Sequence, residues 1–238
     1  MGEDGPRQCA QIGVEIAAEE RPRRVLYGRR RGRKLRPGRA ALVAARLPRI
    51  EISLPVDLAT LFGDAREVWL EIGFGAGEHL AAQAERHRDV GFIGCEPFFD
   101  GVAKLITEIA ERDLDNVRVF RDDARLLLEA LPAASIARAF VMFPDPWPKV
   151  RHHKRRILSR EGFAALARVM PDDAELRVAT DDADYLEWIQ EHAAGEGSFV
   201  LEHRWQERPP GWPGTRYEEK ALQAGRKPVY LAFRRRAQ

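Results

Sequence analysis

A regular alternation of strand-like and helix-like segments between residues 68 and 193 limits the folds open to this chain more than any other feature. Apolar runs rich in β-branched side chains alternate with amphipathic stretches, and the connections are short. The predicted strands are 68–72, 91–96, 117–120, 136–143, 175–180, 199–203 and 229–233. The predicted helices are 78–87, 99–112, 124–131, 159–169, with Ser159 as N-cap, and 183–193. This order is typical of an α/β fold with a doubly wound, mostly parallel seven-stranded sheet.

The N-terminal part of the chain departs from this pattern. Residues 1–24 carry few large apolar side chains and no periodicity, which predicts a disordered tail. Residues 25–49 form a basic N-terminal segment, in which a short helix from Arg39 to Leu47 is predicted to end at Pro48. We expect the folded domain to cover residues 50–238.

Charge distribution is more informative than net charge, which is only +2. Ten Arg or Lys residues and no acid lie between Arg21 and Arg39, and a second basic run covers 149–160. Two such patches on a nearly neutral chain favour a polyanion bound at one face. A solvated, disordered tail is the alternative for the first run.

Other classes of protein are disfavoured by what the sequence lacks. Cys9 and Cys95 are too few for a disulfide framework or a four-thiolate zinc site, and no metal-ligand spacing is present, so we expect no metal. No apolar run approaches the roughly 18 residues of a membrane span, and no signal peptide is recognisable. We expect a cytoplasmic protein with no membrane association and no obligate protein partner.

A glycine-rich turn follows the first predicted strand. Gly73, Gly75 and Gly77 are spaced Gly-x-Gly-x-Gly, and Glu78 occupies the third glycine position of a dinucleotide-binding fingerprint. A carboxylate at that helix start would repel a pyrophosphate, which argues against NAD or FAD. The turn suits close backbone approach to an uncharged or zwitterionic ligand. Its structural alternative is a tight turn that needs glycine for positive φ.

Acidic residues lie near the ends of three successive predicted strands: Glu71, Glu96 and Asp123. Ligands bind at this edge of doubly wound sheets. Glu96 can accept hydrogen bonds from ribose hydroxyls, and Asp123 can accept one from an exocyclic amine. The alternative for Asp123 is capping of the helix that follows. Together with the glycine turn, these acids resemble the class I S-adenosylmethionine-dependent methyltransferases, which have a Rossmann-like fold.

The fourth strand leads into Phe-Pro-Asp-Pro-Trp-Pro-Lys-Val-Arg-His-His-Lys-Arg-Arg at residues 143–156. The two prolines that flank Asp145 stiffen the loop. Trp147 and the cations after it suit a nucleic acid that places one base on the aromatic ring and its phosphates along the basic run. A surface loop with solvated charges is the alternative.

This run resembles the signature of the bacterial tRNA (guanine-N7)-methyltransferase family. Residues 71–77, 179–181 and 214–218 also match that family in order, and the resemblance covers roughly 25–235. Pro148 stands where family members often have His, which argues against a chemical role for that position. The resemblance implies methyl transfer from S-adenosyl-L-methionine to N7 of a tRNA guanine, usually position 46 in the variable loop. S-adenosyl-L-homocysteine would be the second product.

The resemblance also implies roles for individual residues. Asp145 is the implied catalytic residue. The implied cofactor contacts are Glu71, Gly73, Gly75, Gly77, Glu96, Asp123 and Asp145. The implied substrate contacts are Lys149, Asp181, Thr215, Arg216, Tyr217 and Glu218.

Further expectations come from the residues themselves. We expect Arg151, Lys154, Arg155 and Arg156 to bind tRNA phosphates. Asp145 or Asp181 can accept from N1–H and the 2-amino group of guanine together. Capping of the 183–193 helix is the alternative for both Asp181 and Asp182. Trp147 either stacks on a base or packs under its loop, and 211–214 is predicted to be a mobile loop.

Three other functions remain open at this level. The first is a nucleotide-binding oxidoreductase, which Glu78 disfavours. The second is an RNA-binding module with a degenerate methyltransferase fold, which the retained acids disfavour. The third is a methyltransferase that acts on another RNA, a small molecule or a protein.

Overall fold

The computed structural model describes residue 32 and residues 34–237. Its strands are β1 Glu67–Ile72, β2 Val90–Cys95, β3 Val117–Phe120, β4 Arg138–Met142, β5 Glu175–Thr180, β6 Phe199–Trp205 and β7 Val229–Arg235. Its helices are α1 Pro37–Ile50, α2 Leu58–Phe62, α3 Glu78–Arg86, α4 Phe99–Glu111, α5 Ala124–Ala130, α6 Arg160–Val169, α7 Ala183–Glu196 and α8 Arg216–Gln223, with a 3₁₀ helix at Val150–Arg155. The predicted tail 1–24, Cys9 and the start of the basic segment lie outside the described residues.

The seven strands form one sheet in the order β3-β2-β1-β4-β5-β7-β6. Strands β1 to β5 run parallel, and β7 pairs antiparallel with both β5 and β6. The chain moves outward from β1 through β2 to β3, and then from β4 to β5 on the other side. The predicted doubly wound sheet is therefore confirmed, and its switch point lies between β1 and β4, where such sheets bind ligands.

Helices cover both faces of this sheet. Trp69 of β1 packs into a core with α1, α3 and α4, whereas Leu70 and Ile72 belong to a core with α5, α6 and α7. Successive side chains of a strand point to opposite faces, so a strand covered on both faces must be apolar throughout. This explains the continuous apolar runs in the sequence.

Helix α1 is longer than predicted. Pro48 lies inside it, and the Glu51 N–H donates to the Leu47 carbonyl at 2.9 Å. A proline in the last turn removes one backbone donor, and tertiary packing outweighs that loss. Val43, Leu47 and Ile50 are buried in the core that also contains α4.

Three short elements were not predicted: α2, the 3₁₀ helix and α8. A signal for α8 was present, because Thr215-x-x-Glu218 has the capping-box pattern. In the structure the Thr215 side chain accepts from the Glu218 N–H, and the Glu218 carboxylate accepts from the Thr215 N–H. The predicted Ser159 cap of α6 is confirmed by a hydrogen bond from the Gly162 N–H at 3.3 Å.

Within the described part of the chain, no helix is both long enough and apolar enough to cross a membrane.

Candidate active site

A cleft of about 740 Å³ lies at the carboxyl ends of β1, β2, β3 and β4. This volume falls in the usual range for a small-molecule or cofactor site. The glycine turn, the acids that follow β2 and β3, the Asp145 loop and the start of α8 form its walls. The topology therefore brings together segments that are far apart in the sequence.

The glycine turn is the tight, positive-φ turn that was given as its structural alternative, and its role in ligand binding stays a prediction. Gly73, Gly75 and Gly77 have φ values of 73°, 57° and 86°. L-residues with a side chain rarely adopt these values. The turn thereby exposes its backbone to the cleft.

Glu96 fastens this turn to the end of β2. Its carboxylate accepts hydrogen bonds from the Gly75 N–H and the Phe98 N–H, both at 2.9 Å. Burial raises the pKa of Glu96 even though both hydrogen bonds act in the opposite direction. The carboxylate keeps lone pairs for further donors, because each oxygen accepts only one of these bonds.

Gly101 of α4 allows this close approach. A Cβ at Gly101 would lie 2.1 Å from the Gly75 carbonyl oxygen and 3.3 Å from Glu96 Cγ. Gly101→Ala is expected to lower the free energy of unfolding by about 1–3 kcal/mol, because a rigid backbone atom blocks the methyl group. Urea unfolding measures this change.

Gly195→Ala is the matched control, because Gly195 is also helical and its added Cβ would meet nothing within 4 Å. That variant is expected to gain about 0.5–1 kcal/mol from reduced backbone freedom. Equal effects of the two substitutions would contradict the steric argument.

Glu71 lies at the floor of the cleft and is 2% exposed. Its carboxylate contacts His79 Nδ1 at 2.7 Å, and the His79 side chain is 1% exposed. Sequence reasoning missed His79, although a histidine in the first turn of a helix that buries its inner face was a visible signal. The pair fixes the orientation of the Glu71 carboxylate under the glycine turn.

Asp123 caps α5, so the capping alternative is confirmed for this residue. Its carboxylate accepts from the Arg125 N–H at 2.9 Å and lies 3.3 Å from the Arg125 guanidinium. Asp123 also lines the cleft. Capping and ligand binding are compatible here, and the cofactor role of Asp123 stays a prediction.

The Asp145 loop follows β4 and faces the same cleft. The Asp145 side chain is exposed, and its carboxylate has no hydrogen-bond or ion-pair partner among residues 34–237. On either side of it, Phe143 and Trp147 have positive φ values of 51° and 47°. Non-glycine residues hold this conformation only where the surrounding structure fixes it, and such positions cluster at functional sites.

Trp147 packs against its own loop, which is one of its two predicted roles. Its ring is half-buried and packs against its own loop, with the Arg155 guanidinium 4.7 Å from the ring centroid and the His152 ring 6.0 Å away. It also lines the cleft. Stacking on a base stays a prediction.

Asp181 and Asp182 have different environments. Asp182 caps α7 by accepting from the Tyr185 N–H at 2.8 Å, so the capping alternative is confirmed for this residue. Asp181 is not a cap: its carboxylate contacts Arg226 at 2.6 Å and accepts from the Tyr217 hydroxyl at 3.2 Å. Because the Asp181 oxygens already have these partners, Asp145 is the better candidate for accepting hydrogen bonds from a base.

Similarity to known proteins covers most of this chain. A family model described as "Putative methyltransferase" matches residues 65–231. A tRNA (guanine-N(7)-)-methyltransferase from Paramagnetospirillum magneticum is 48% identical, over 93% of this chain and 96% of that relative. One from Paracoccus denitrificans is 46% identical, over 91% and 97%. The chain belongs to the tRNA (guanine-N(7)-)-methyltransferase family. The family resemblance found in the sequence is therefore confirmed.

A solved structure supports the fold of this family member independently. The 16S rRNA methyltransferase KamB has a TM-score of 0.59 and 16% identity, over 76% of this chain and 93% of that one. At this level of identity the likeness concerns the fold alone.

In this methyltransferase-family chain, α8 forms one wall of the cleft. Thr215, Arg216 and Tyr217 line it, whereas Glu218 is 4% exposed and accepts from the Tyr230 hydroxyl inside the protein. Glu218 does not line the cleft, and it stabilises the first turn of α8 through the capping box with Thr215. Its predicted substrate contact stays a prediction.

The loop before α8 is anchored. Trp212 is buried, and its ring lies 6.0 Å from Trp205 and 5.9 Å from Tyr230. The Arg86 guanidinium donates to the Gly211 carbonyl at 2.9 Å. Residues 211–214 were predicted to form a mobile loop, and these contacts were not expected.

The cations of the family signature separate into two groups. Lys149, Arg151 and Lys154 are exposed on or beside the 3₁₀ helix, and Arg155 lines the cleft. Arg156 is 1% exposed, and its guanidinium donates into the protein. The predicted phosphate contact of Arg156 is therefore wrong, because a buried guanidinium with internal partners cannot reach a phosphate.

Three further cations were missed by sequence reasoning. Lys104, Arg125 and Lys220 line the cleft, although they belong to α4, α5 and α8. None of them lies in a basic run, so only the tertiary structure brings them to the site. Among the described residues, no group of three or more His, Cys, Asp or Glu side chains is arranged to hold a metal ion.

Proposed function

We propose that this chain transfers a methyl group from S-adenosyl-L-methionine to N7 of a guanine in tRNA, with position 46 of the variable loop as the expected site. The main support for this proposal is the environment of the Asp145 carboxylate. This carboxylate has no partner in the described chain and projects into an acid-lined cleft next to an exposed basic helix. Family membership supports the same reaction. A tRNA substrate also favours a cytoplasmic location, as the sequence predicts.

The cleft fits the methyl donor chemically. We assign the ribose hydroxyls to Glu96, the adenine amine to Asp123, and the methionine part to the glycine turn above Glu71. This assignment is supported by the free lone pairs of Glu96 and by the cleft volume of about 740 Å³. When bound, S-adenosyl-L-methionine supplies an electrophilic methyl group on its sulfonium sulfur.

The protein has little proton chemistry to perform. Guanine N7 carries a lone pair and no proton, so no general base is needed to create the nucleophile. The residues of the cleft must instead align N7 with the methyl group, and positioning of this kind can supply about 7–11 kcal/mol of the barrier. Trp147 and Tyr217, which both line the cleft, offer aromatic surfaces for the purine.

Asp145 has two proposed roles in that alignment. Its carboxylate accepts from N1–H and the 2-amino group of guanine, a donor pair that adenine lacks. It also stabilises the positive charge that appears on the purine as N7 is methylated. Both roles require an ionised carboxylate whose oxygens are not used elsewhere in the protein.

The exposed cations Lys149, Arg151 and Lys154 are proposed to bind tRNA phosphates. Replacing all three with Met should reduce the slope of log affinity against log salt by about 2–3, since each phosphate contact contributes about 0.7–0.9. Filter binding of tRNA across a salt series measures this slope.

Arg66→Met is the control for this prediction. Arg66 directly precedes β1, so it lies at the amino edge of the sheet, opposite the cleft. Its variant should keep the wild-type slope. An unchanged slope in the triple variant would count against phosphate binding by this helix.

Tritiated methyl transfer to unmodified tRNA, followed by borohydride and aniline cleavage, tests the proposed function directly. N7-methylguanosine makes the RNA chain scissile at one place, so the cleavage site reports the base, the atom and the position. Labelled tRNA that is not cleaved would overturn the N7 assignment. A binding module with a degenerate fold would show no heat of binding with S-adenosyl-L-methionine in calorimetry.

A further inference from the structure

Arg156 is a buried cation within a run of exposed ones. It is 1% exposed, while Lys149, Arg151 and Lys154 in the same signature are exposed. Its guanidinium carbon lies 4.8 Å from the centroid of the Tyr185 ring and 4.9 Å from that of Trp188. Both aromatic residues belong to α7, so Arg156 inserts between its own segment and that helix.

The hydrogen bonds of Arg156 point to the Asp145 loop. Its Nε–H donates to the Pro146 carbonyl at 2.7 Å, and its Nη2 donates to the Asp184 carboxylate in the first turn of α7. Pro146 lies between Asp145 and Trp147 in the chain. One side chain therefore links the backbone beside the proposed catalytic carboxylate to a helix of the core.

The loop needs such a link because its backbone is strained. Phe143 and Trp147 both have positive φ, and conformations of this kind persist only where neighbouring groups hold them. A second link lies farther along, where Trp188 Nε1–H donates to the Leu158 carbonyl at 2.9 Å. Helix α7 thus holds the segment 146–158 at two points.

The surroundings of Arg156 offset part of the cost of burying its charge, although its Nη1 has no hydrogen-bond partner among the described residues. Asp184 supplies the counter-charge, and the hydrogen bond from Arg156 lowers the pKa of Asp184. The aromatic rings and the carbonyl add cation–π and hydrogen-bond contacts. Binding a phosphate would require the guanidinium to leave this buried site.

We infer that Arg156 is a positioning residue that holds Asp145 and Trp147 in their reactive arrangement, and that it makes no contact with RNA. This inference rests on the proposed function and deepens it. A planar guanidinium suits the role, because it stacks on the aromatic rings while it donates in two directions. A lysine ammonium can reach one acceptor but cannot reproduce this geometry.

The test compares Arg156→Met and Arg156→Lys with Arg151→Met. With saturating tRNA and S-adenosyl-L-methionine, Arg156→Met should lower the single-turnover rate by about tenfold or more, because small displacements of positioned groups are costly. Arg156→Lys should recover part of the loss. The salt slope of tRNA binding should stay at the wild-type value in both variants and fall in Arg151→Met.

Hydrogen exchange in the free protein gives a second readout, which does not depend on activity. The His152 amide, which donates to the Lys149 carbonyl at 2.7 Å in the wild type, should exchange faster in Arg156→Met. If the wild type fails to methylate tRNA, the proposed function fails, and the exchange data still decide whether Arg156 holds the loop.

Two results would overturn the inference. One is a flattened salt slope together with a wild-type single-turnover rate in Arg156→Met, which would make Arg156 a phosphate contact. The other is wild-type exchange of the His152 amide in Arg156→Met. Should Arg156→Met fail to fold, Arg156→Lys carries the test, and an unchanged turnover rate in that variant would refute the inference.

Discussion

Asp145→Asn is expected to lower the single-turnover rate of methyl transfer by about 100- to 1,000-fold, the usual cost of losing one preorganised electrostatic group in an active site. The carboxamide keeps the shape of the side chain but loses its negative charge. Its NH₂ group also cannot accept from both guanine donors. Rapid-quench measurement with saturating tRNA and S-adenosyl-L-methionine isolates the chemical step from substrate binding.

The surroundings of Asp145 separate an effect on catalysis from an effect on stability. The Asp145 carboxylate has no partner among the described residues, so its replacement breaks no internal hydrogen bond or ion pair. The free energy of unfolding should therefore stay close to the wild-type value.

Asp64→Asn is the matched control, since Asp64 is an exposed aspartate in the turn before β1, at the opposite edge of the sheet. Its single-turnover rate should equal that of the wild type. Normal single-turnover methylation by Asp145→Asn would remove both proposed roles from this residue.

Glu96→Gln is expected to weaken S-adenosyl-L-homocysteine binding by about 100-fold. In the native protein both carboxylate oxygens accept backbone N–H groups, from Gly75 and Phe98. The amide NH₂ of Gln would face one of these donors, and the ribose hydroxyls would lose an ionised acceptor. Hydrogen bonds to charged groups contribute about 1.5–3 kcal/mol each, so losing about 3 kcal/mol gives this factor. Calorimetry measures it.

The pH dependence of binding provides a second test of Glu96. Burial raises the pKa of Glu96 in the free protein, while ribose hydroxyls donate to its ionised form. Binding must therefore release a proton at acid pH, and affinity should fall as the pH drops through the raised pKa. This dependence should be weaker in Glu96→Gln.

Glu108→Gln is the control, because Glu108 lies on α4 and pairs with Arg112 at 2.9 Å, away from the cleft wall. Its variant should bind S-adenosyl-L-homocysteine as the wild type does, with the same pH profile. Unchanged affinity in Glu96→Gln would exclude Glu96 from the cofactor site.

Local sequence signals predicted most of the sheet and several helix ends correctly. The apolar runs located all seven strands to within a few residues. Ser159 and Asp182 cap the helices that follow them, since a cap acts within three residues of its own position. The positive φ values of the glycine turn have the same local origin. Signals of this kind can be read from the sequence because their partners are neighbours in the chain.

The signals failed where the deciding partner is distant in sequence. Pro48 does not end α1, because packing of Val43 and Ile50 against the core outweighs one lost backbone donor. Lys104 and Lys220 reach the cleft only through the positions of α4 and α8.

The sequence by itself determined the family, the succession of strands and helices along the chain, and the acids near the carboxyl ends of the strands. Periodicity, turn chemistry and a contiguous signature are properties of short stretches of chain. Only the tertiary structure decided which charged groups face the cleft and which are engaged elsewhere. Asp145 is exposed and has no hydrogen-bond or ion-pair partner among residues 34–237, whereas Asp181 contacts Arg226 and Tyr217. Arg156 is buried between Pro146 and Asp184, and burial follows from packing between segments that sequence spacing does not relate.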